Sequence, residues 1–344
     1  MISSRLHAWR VRSGLIVMCT ILIGATAAMQ RPQIPAGGAI PDRRGFQGVD
    51  DPRYPDVIKN GVVTRRVAGQ VYVIAGAGGN IAVQAGDDGL LLVDDNFKVF
   101  YDQIMANIRQ ISDKPIRIVV NTHSHGDHVE NNENMFRLGA LGFSHPNTRL
   151  ALMRQGQPPA AVAGGAAGAP TPPAGWPTIT SKEPMTFHFN GEEVIYVPLK
   201  PSHTDGDVAV YFNKSNVFAF GDVYTTDYPS IGVAQGGTIE NFIDNYNKVL
   251  EMTTPDTIFL PGHAQLSKRA DLIACRDAIS IIHDRFVKMV AQGMTLEQIR
   301  AARPSKEFDA RFATENFAPN DMQNSARWYE QMYAEAKTHL GPPR

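Results

Sequence analysis

A histidine-rich hexad directly after an apolar segment is the feature that most constrains what this chain can fold into. Residues 123–128 read His-Ser-His-Gly-Asp-His, which places three imidazoles and one carboxylate within six positions. The preceding residues 116–122 are mostly apolar and β-branched and follow Pro115, a pattern that predicts a buried strand. Imidazole and carboxylate are ligands that Zn²⁺ accepts, so the sequence predicts a metal site where this strand ends.

The spacing within the hexad indicates which side chains face the same way. In extended backbone alternate residues share one side, so His123, His125 and Asp127 are expected to converge. His128 has the opposite parity and is expected to reach a second metal nearby. A single histidine is usually a surface or core residue, whereas three around an acid within six positions favour metal binding.

Three further candidate ligands, His203, Asp222 and His263, each follow a predicted strand. Gly221 and Gly262 directly precede the last two, and glycine allows the backbone to approach a neighbour closely. Separate strands can therefore deliver ligands to one rim of a sheet.

The ligand order resembles that of the metallo-β-lactamase superfamily. His-x-His-x-Asp-His at residues 123–128, followed by His203, Asp222 and His263, matches the family's pattern, and the resemblance covers about residues 65–265. It implies an α/β fold, a four-layer αβ/βα sandwich of two mixed β-sheets flanked by helices, with the metals at one edge.

The resemblance also implies two Zn²⁺ ions per chain. The ligands of the first zinc would be His123, His125 and His203. Those of the second would be Asp127, His128 and His263. Asp222 would bridge both ions, and a hydroxide held between them would attack a carbonyl carbon without any side-chain nucleophile.

Two side chains are predicted to assist catalysis. Asp127 is expected to orient the hydroxide and later to return a proton to the leaving group. Tyr224 is our candidate oxyanion donor, with a buried structural tyrosine as the alternative. Asp207 is expected either to hold a ligand imidazole by its other nitrogen or to be a turn residue.

The leading functional hypothesis is an exported zinc-dependent hydrolase that cleaves an ester, lactone, thioester or amide in a small molecule. A β-lactam hydrolase is the alternative in the same class. Family β-lactamases with a cysteine ligand carry it in place of Asp222 and carry arginine in place of His128, which counts against that subclass. A mononuclear iron persulfide dioxygenase and a non-catalytic zinc-binding protein are the alternatives of other classes.

The first residues of the chain and its net charge indicate where the protein is located and which partners it binds. Residues 1–28 combine a basic start, a short apolar core and Ala-Thr-Ala, which predicts a signal peptide and a periplasmic or secreted protein. The alternative is an uncleaved membrane anchor, which is disfavoured because the apolar run is shorter than a bilayer span. No stable membrane span is expected after signal removal. A net charge of −1 gives no footprint for nucleic acid, so a small-molecule substrate is expected.

Four segments are predicted along the chain: a signal peptide (1–28), an extended arm (29–60), a catalytic domain (61–265) and a helical C-terminal extension (266–344). The extension is expected to serve packing or a homodimer surface. Residues 155–175, rich in Pro, Ala and Gly, are predicted to form a mobile loop, either a lid or a neutral insertion. Cys275 is the only thiol left after signal removal and is expected to be a small buried residue.

Hydrophobic patterning predicts two groups of strands separated and followed by helices. The predicted strands are 70–75, 80–84, 90–93, 116–122, 185–189, 193–199, 208–212, 217–220 and 257–260. The predicted helices are 99–111, a helix running to about 138, 239–250, one opened by the capping box at 295–298, and one through Trp328 and Met332.

Overall fold

Runs of branched apolar residues, interrupted by Gly, Asn and Asp, form two β-sheets in the computed structural model, which describes residues 33–36, 61–154, 171–312 and 325–340. The first sheet contains β1 (Val62–Ala68), β2 (Val71–Gly76), β3 (Ile81–Gly86), β4 (Gly89–Val93), β5 (Ile116–Val120), β6 (Leu141–Ser144) and β7 (Ile179–Thr180). The second contains β8 (Met185–Phe189), β9 (Glu192–Pro198), β10 (Val208–Phe212), β11 (Val217–Gly221), β12 (Ile258–Pro261) and β13 (Ser267–Lys268).

Both sheets are mixed, and their parallel pairs determine where the strands end. The first sheet keeps the chain order, antiparallel from β1 to β4 and parallel from β4 to β7. The second has the order β13-β12-β11-β10-β9-β8, and only β11 and β12 pair in parallel. Parallel neighbours end at the same edge, so the residues that follow β4 and β5, or β11 and β12, lie close together.

Helices cover the outer faces of both sheets. They are α1 (Tyr101–Ile111), α2 (Gly126–Val129), α3 (Asn132–Arg137), α4 (Pro146–Arg154), α5 (Ile239–Met252), α6 (Arg269–Ala291), α7 (Leu296–Ala302), α8 (Lys306–Phe312) and α9 (Ser325–Leu340). The Thr238 hydroxyl caps α5 by accepting from Asn241 N, and Thr295 with Gln298 forms the predicted capping box of α7. None of the helices in the described ranges is long and apolar enough to cross a membrane.

Three apolar clusters separate the four layers. Val73, Leu91 and Val210 belong to the cluster between the two sheets. A second cluster joins α1 to the outer face of the first sheet, and a third joins α5, α6 and the C-terminal helices to the outer face of the second. The predicted sandwich is confirmed, because each sheet buries one face against the other sheet and one against helices.

The predicted strands and helices are confirmed within a few residues, but several elements were missed. These are β1, β6, β7, β13 and α4. β7 and β13 have two residues each, too few for a pattern, and β6 contains Gly142, which interrupts its apolar run. Cys275 is buried, as expected. The predicted signal peptide, most of the arm and most of the loop 155–175 lie outside the described residues.

Candidate metal centre

The ends of β5, β9, β11 and β12 bring the seven predicted ligands to one rim of the sandwich. His123 and His125 lie in the segment after β5, and α2 begins at Gly126, immediately after them. Asp127 and His128 occupy the first turn of this helix. His203 lies in the connection after β9. Asp222 directly follows β11, and His263 follows the parallel strand β12 after Gly262.

Four of the ligands form what we call the three-histidine group, His123, His125, His203 and Asp222. His125 Nδ1 lies 3.1 Å from His123 Nε2 and 2.9 Å from His203 Nε2. Asp222 Oδ2 lies 3.4 Å from His203 Nε2 and 3.9 Å from His123 Nε2. Separations of this size fit ligand atoms that converge on a single ion.

The other three ligands form what we call the aspartate group, Asp127, His128 and His263. His263 Nε2 lies 3.1 Å from Asp127 Oδ2, and His128 Nε2 lies 3.7 Å from the same oxygen. Asp222 faces this group as well, with Oδ1 3.3 Å from His128 Nε2 and Oδ2 3.3 Å from His263 Nε2. Its carboxylate therefore stands between the two groups, where a bridging ligand would stand.

The expected convergence of Asp127 with His123 and His125 is wrong. Asp127 contacts the side chains of His128 and His263 instead. The expectation assumed extended backbone throughout the hexad, but the helix that begins at Gly126 ends the alternation of sides.

Burial and charge divide the ligands into two protonation classes. Burial lowers the pKa of His123 well below its ordinary value and that of His125 to about 3, so both imidazoles are neutral and can bind metal. Burial also opposes the charged form of His263, but Asp222 and Asp127 outweigh it and raise its pKa to about 9.

The carboxylates show the reciprocal effect. Burial alone would raise the pKa of Asp127, yet the nearby His128 and His263 lower it to about 2. The same two imidazoles hold the pKa of Asp222 well below its ordinary value despite burial. In the metal-free protein protonated imidazoles therefore balance the carboxylates, and divalent cations can take the place of those protons.

Two buried atoms between the groups support metal binding. His128 Nε2 and Asp222 Oδ1 lie 3.3 Å apart, but neither forms a well-aligned hydrogen bond to the other or to another described residue, although buried polar atoms without such a bond are costly. These are atoms that the two-metal arrangement would use. The residues present therefore fit two divalent metal ions, with imidazole nitrogens and carboxylate oxygens as the donors.

Asp94, which the sequence analysis missed, orients two of the ligands. Its carboxylate lies 2.7 Å from His128 Nδ1 and accepts from Thr122 N at 2.7 Å and from Thr122 Oγ1 at 2.8 Å. The Thr122 hydroxyl in turn contacts His123 Nδ1 at 3.0 Å. Both imidazoles are thus held by Nδ1 with Nε2 toward the metal groups. The acidic pair that follows β4, Asp94-Asp95, was the sequence signal that could have indicated this role.

The His203 imidazole is held by backbone rather than by Asp207. His203 Nδ1 donates to the Ser230 carbonyl oxygen at 3.1 Å. Asp207 instead accepts from the backbone N–H groups of Ser202, His203 and Thr204 and from two hydroxyls. Of the two expectations for Asp207, the turn residue is confirmed and the imidazole contact is wrong.

Tyr224 does not face the metal ligands. Its ring packs against Phe220, Tyr246 and Phe259, only 1% of the residue is exposed, and its hydroxyl accepts from Ser267 Oγ at 3.0 Å. The predicted oxyanion role is wrong, and Tyr224 is the buried structural tyrosine of the alternative. The ring is buried in the core because it packs against apolar residues of α5 and β12.

Gly262 allows β12 and β11 to meet directly beneath Asp222. Its N–H donates to the Gly221 carbonyl oxygen at 2.8 Å, and a Cβ at this position would overlap Asp222 Oδ1. Any larger residue would push against the carboxylate that both metal groups share.

A fold of this kind, with histidine and aspartate ligands at the rim of a two-sheet sandwich, defines a class of metal-dependent enzymes. The family model described as the metallo-beta-lactamase superfamily matches residues 66–263. The chain belongs to the metallo-β-lactamase superfamily, and the resemblance inferred from its motifs is confirmed.

Solved structures show the same fold. A double mutant of the sec-alkyl sulfatase PisA1 matches with a TM-score of 0.57 and 17% identity over 92% of this chain, which spans 60% of that chain's length. The metallo-beta-lactamase IND-7 matches with a TM-score of 0.51 and 21% identity over 64% of this chain and 98% of its own. None of the curated proteins matches the chain. At such identities the likeness concerns the fold alone.

Proposed function

We propose that this protein is an exported zinc-dependent hydrolase that cleaves an ester, lactone, thioester or amide carbonyl in a small molecule. The observation that carries the proposal is the position of Asp222 between two complete ligand groups. Zinc is favoured because all donors are imidazole nitrogens or carboxylate oxygens and several histidines share one group.

Two bound ions would supply a hydroxide nucleophile near neutral pH and positive charge for a developing oxyanion. The chain's own contribution is to hold the ligands and to move protons. Asp127 suits the second task because its side chain is 20% exposed, against 9% for Asp222. Despite burial, His128 and His263 lower its pKa to about 2 in the metal-free protein, so it is ionised at neutral pH and free to bind a metal. The proton-transfer role rests on its position, because a carboxylate at the open side of the site could carry a proton to the leaving group.

The test combines metal analysis with a hydrolysis panel of esters, lactones, thioesters and amides. Protein purified without added metal is expected to contain about two zinc ions per chain and to hydrolyse at least one substrate class. Asp127→Ala is expected to reduce kcat at least about 10²-fold while the far-UV circular dichroism is retained. Asp256→Ala, the same change at an exposed residue before β12, is the matched control.

The panel also separates the competing functions. Rapid nitrocefin turnover would favour a β-lactam hydrolase. The predicted export and the fold shared with a lactamase support this alternative. Bound zinc with no turnover of any substrate would favour a non-catalytic zinc-binding protein. A single iron in place of zinc, with oxygen consumption on persulfides, would favour the dioxygenase and contradict our proposal.

A sulfate-ester hydrolase is a second candidate with an observation of its own. The match to the sec-alkyl sulfatase covers 92% of this chain, a share too large to omit the C-terminal helices, whereas the lactamase match covers 64%. A secondary alkyl sulfate therefore belongs in the panel. Sulfate release without carbonyl hydrolysis would replace our leading proposal with this one.

Export is proposed from the first 28 residues, which lie outside the described structure. Expression of the full chain followed by cell fractionation should give a mature protein that begins near residue 29. A protein that keeps its first residues and stays in the cytoplasm would contradict this part of the proposal.

A further inference from the structure

We infer that the C-terminal helix α9 positions the metal ligand His203, and that Gln331 is the positioning residue. The connection runs through residues 228–232, which we call the Ser230 loop. The inference rests on the proposed metal centre but not on the substrate or the reaction.

One side of the Ser230 loop contacts the backbone around His203. The Ser230 carbonyl accepts from His203 Nδ1 at 3.1 Å, and Gly232 N donates to the Ser202 carbonyl at 2.8 Å. Gly232 also lies so close to the His203 carbonyl oxygen that a Cβ would overlap it. A shift of the loop would therefore move both the imidazole and the backbone that carries it.

The other side of the Ser230 loop contacts Gln331. Ile231 N donates to Gln331 Oε1 at 3.2 Å, and Gln331 Nε2 donates to Ser230 Oγ at 3.3 Å. One amide thus holds two successive residues of the loop from the middle of α9. Both loop residues are buried, so water is a poor substitute for the lost partner.

Aromatic and polar contacts of Tyr228 fix the start of the same loop to the C-terminal helices. The Tyr228 ring stacks on Trp328 with centroids 4.1 Å apart and planes 5° from parallel. Its hydroxyl donates to Asp309 Oδ1 at 2.9 Å, and its N–H donates to the Phe312 carbonyl at 3.2 Å. The loop is therefore docked on α8 and α9 while its far side holds His203.

The inference is tested by changing the length and polarity of the side chain at residue 331. Gln331→Met keeps the volume but removes both hydrogen bonds, and it is expected to weaken metal binding at the three-histidine group by up to about tenfold. Gln331→Glu keeps an acceptor for Ile231 N and can accept from the Ser230 hydroxyl, so it should restore most of the affinity. Glu330→Met, at the adjacent exposed residue that pairs with Arg300, is the matched control.

The experiment is a Co²⁺ titration of full-length protein, followed by Zn²⁺ competition, with the visible spectrum of the cobalt site as the readout. We expect Gln331→Met to change the spectrum and affinity of the step that fills the three-histidine group and to leave the other step unchanged. Circular dichroism of the metal-free protein reports folding, and Gln331→Asn, whose amide is too short to reach, takes its place if the methionine variant does not fold.

The outcomes separate this inference from the proposed function. Unchanged cobalt spectra and affinities in folded Gln331→Met and Gln331→Asn would overturn the role of Gln331, whatever the enzyme hydrolyses. Equal weakening in Glu330→Met would overturn it too, because a general disturbance of α9 would then suffice. A parent protein that binds two ions but hydrolyses nothing would end the proposed function and leave this inference intact.

Discussion

Three ligand imidazoles are fixed through their second nitrogen, each by a partner of a different kind. His128 uses the Asp94 carboxylate, His203 the Ser230 carbonyl and His123 the Thr122 hydroxyl. A carboxylate raises the basicity of its imidazole more than a neutral acceptor does. The Asp94 contact is therefore the one whose loss should be felt most at the metal.

Asp94→Asn is expected to weaken metal binding at the aspartate group by about 10- to 100-fold. The amide carries no negative charge to pair with His128. Its NH2 group, which replaces one carboxylate oxygen, cannot accept a hydrogen bond from Thr122. Isothermal titration with Zn²⁺ measures the effect. Asp87→Asn, in an exposed turn paired with Lys114, should bind as the parent does, and equal affinities in both variants would exclude Asp94 as an orienting residue.

Metal loading is expected to release protons mainly from the aspartate group. At about pH 7 His263, with a pKa of about 9, and His128, whose pKa is also raised, are protonated in the metal-free protein, while His123 and His125 are neutral. Affinity at this group should rise with pH at least to about pH 9, where His263 loses its proton, and about two protons should leave per chain when metal binds at about pH 7. Calorimetric titration in two buffers of different ionisation enthalpy counts the released protons. An affinity of the aspartate group that does not change with pH would contradict the assignment of these protons to His128 and His263.

Among the secondary-structure elements, the β11 and β12 pair positions Asp222, the ligand shared by both metal groups. The backbone at the end of β12 lies in close contact with its carboxylate. Gly262→Ala is expected to displace Asp222, because the added Cβ overlaps its carboxylate. The zinc content should then fall from about two ions to below one ion per chain. Gly191→Ala, in the turn between β8 and β9 where a Cβ meets open space, should lose stability through its positive φ but keep its zinc. Metal analysis after dialysis compares the two variants.

Strand ends were predictable from the sequence, but the contacts between them were not. The apolar runs and the ligand types identified the rim, because both signals are local in the chain. Asp94 meets His128 across 34 positions, and the Ser230 partner of His203 is a backbone atom that no residue type marks. The wrong placement of Asp127 has a local cause, since a four-residue helix at Gly126 is too short to show periodicity.

At the scale of the whole molecule, the C-terminal helices belong to the same apolar cluster as the second sheet. Trp328 and Met332 of α9 share it with Phe220 of β11 and Ile279 of α6. One polar contact stands out within this packing, where His283 Nε2 of α6 lies 3.0 Å from Glu335 Oε2 of α9, with 5% and 2% of the residues exposed. The attachment of α9, and through Gln331 the position of His203, therefore includes a titratable pair.

Glu335→Gln is expected to lower the free energy of unfolding by about 2 kcal/mol at about pH 6, because it removes the charged partner of a buried imidazolium. Burial opposes the charge on His283, but Glu335 outweighs it and raises the pKa above the ordinary value of 6.5. A raised folded-state pKa contributes stability that is fully present below the unfolded value and is lost as pH rises through the folded one. The difference between parent and variant should thus shrink in alkaline solution. Urea unfolding of both proteins at about pH 6 and about pH 9 tests the sign, and a difference that grows with pH would exclude a charged pair between α6 and α9.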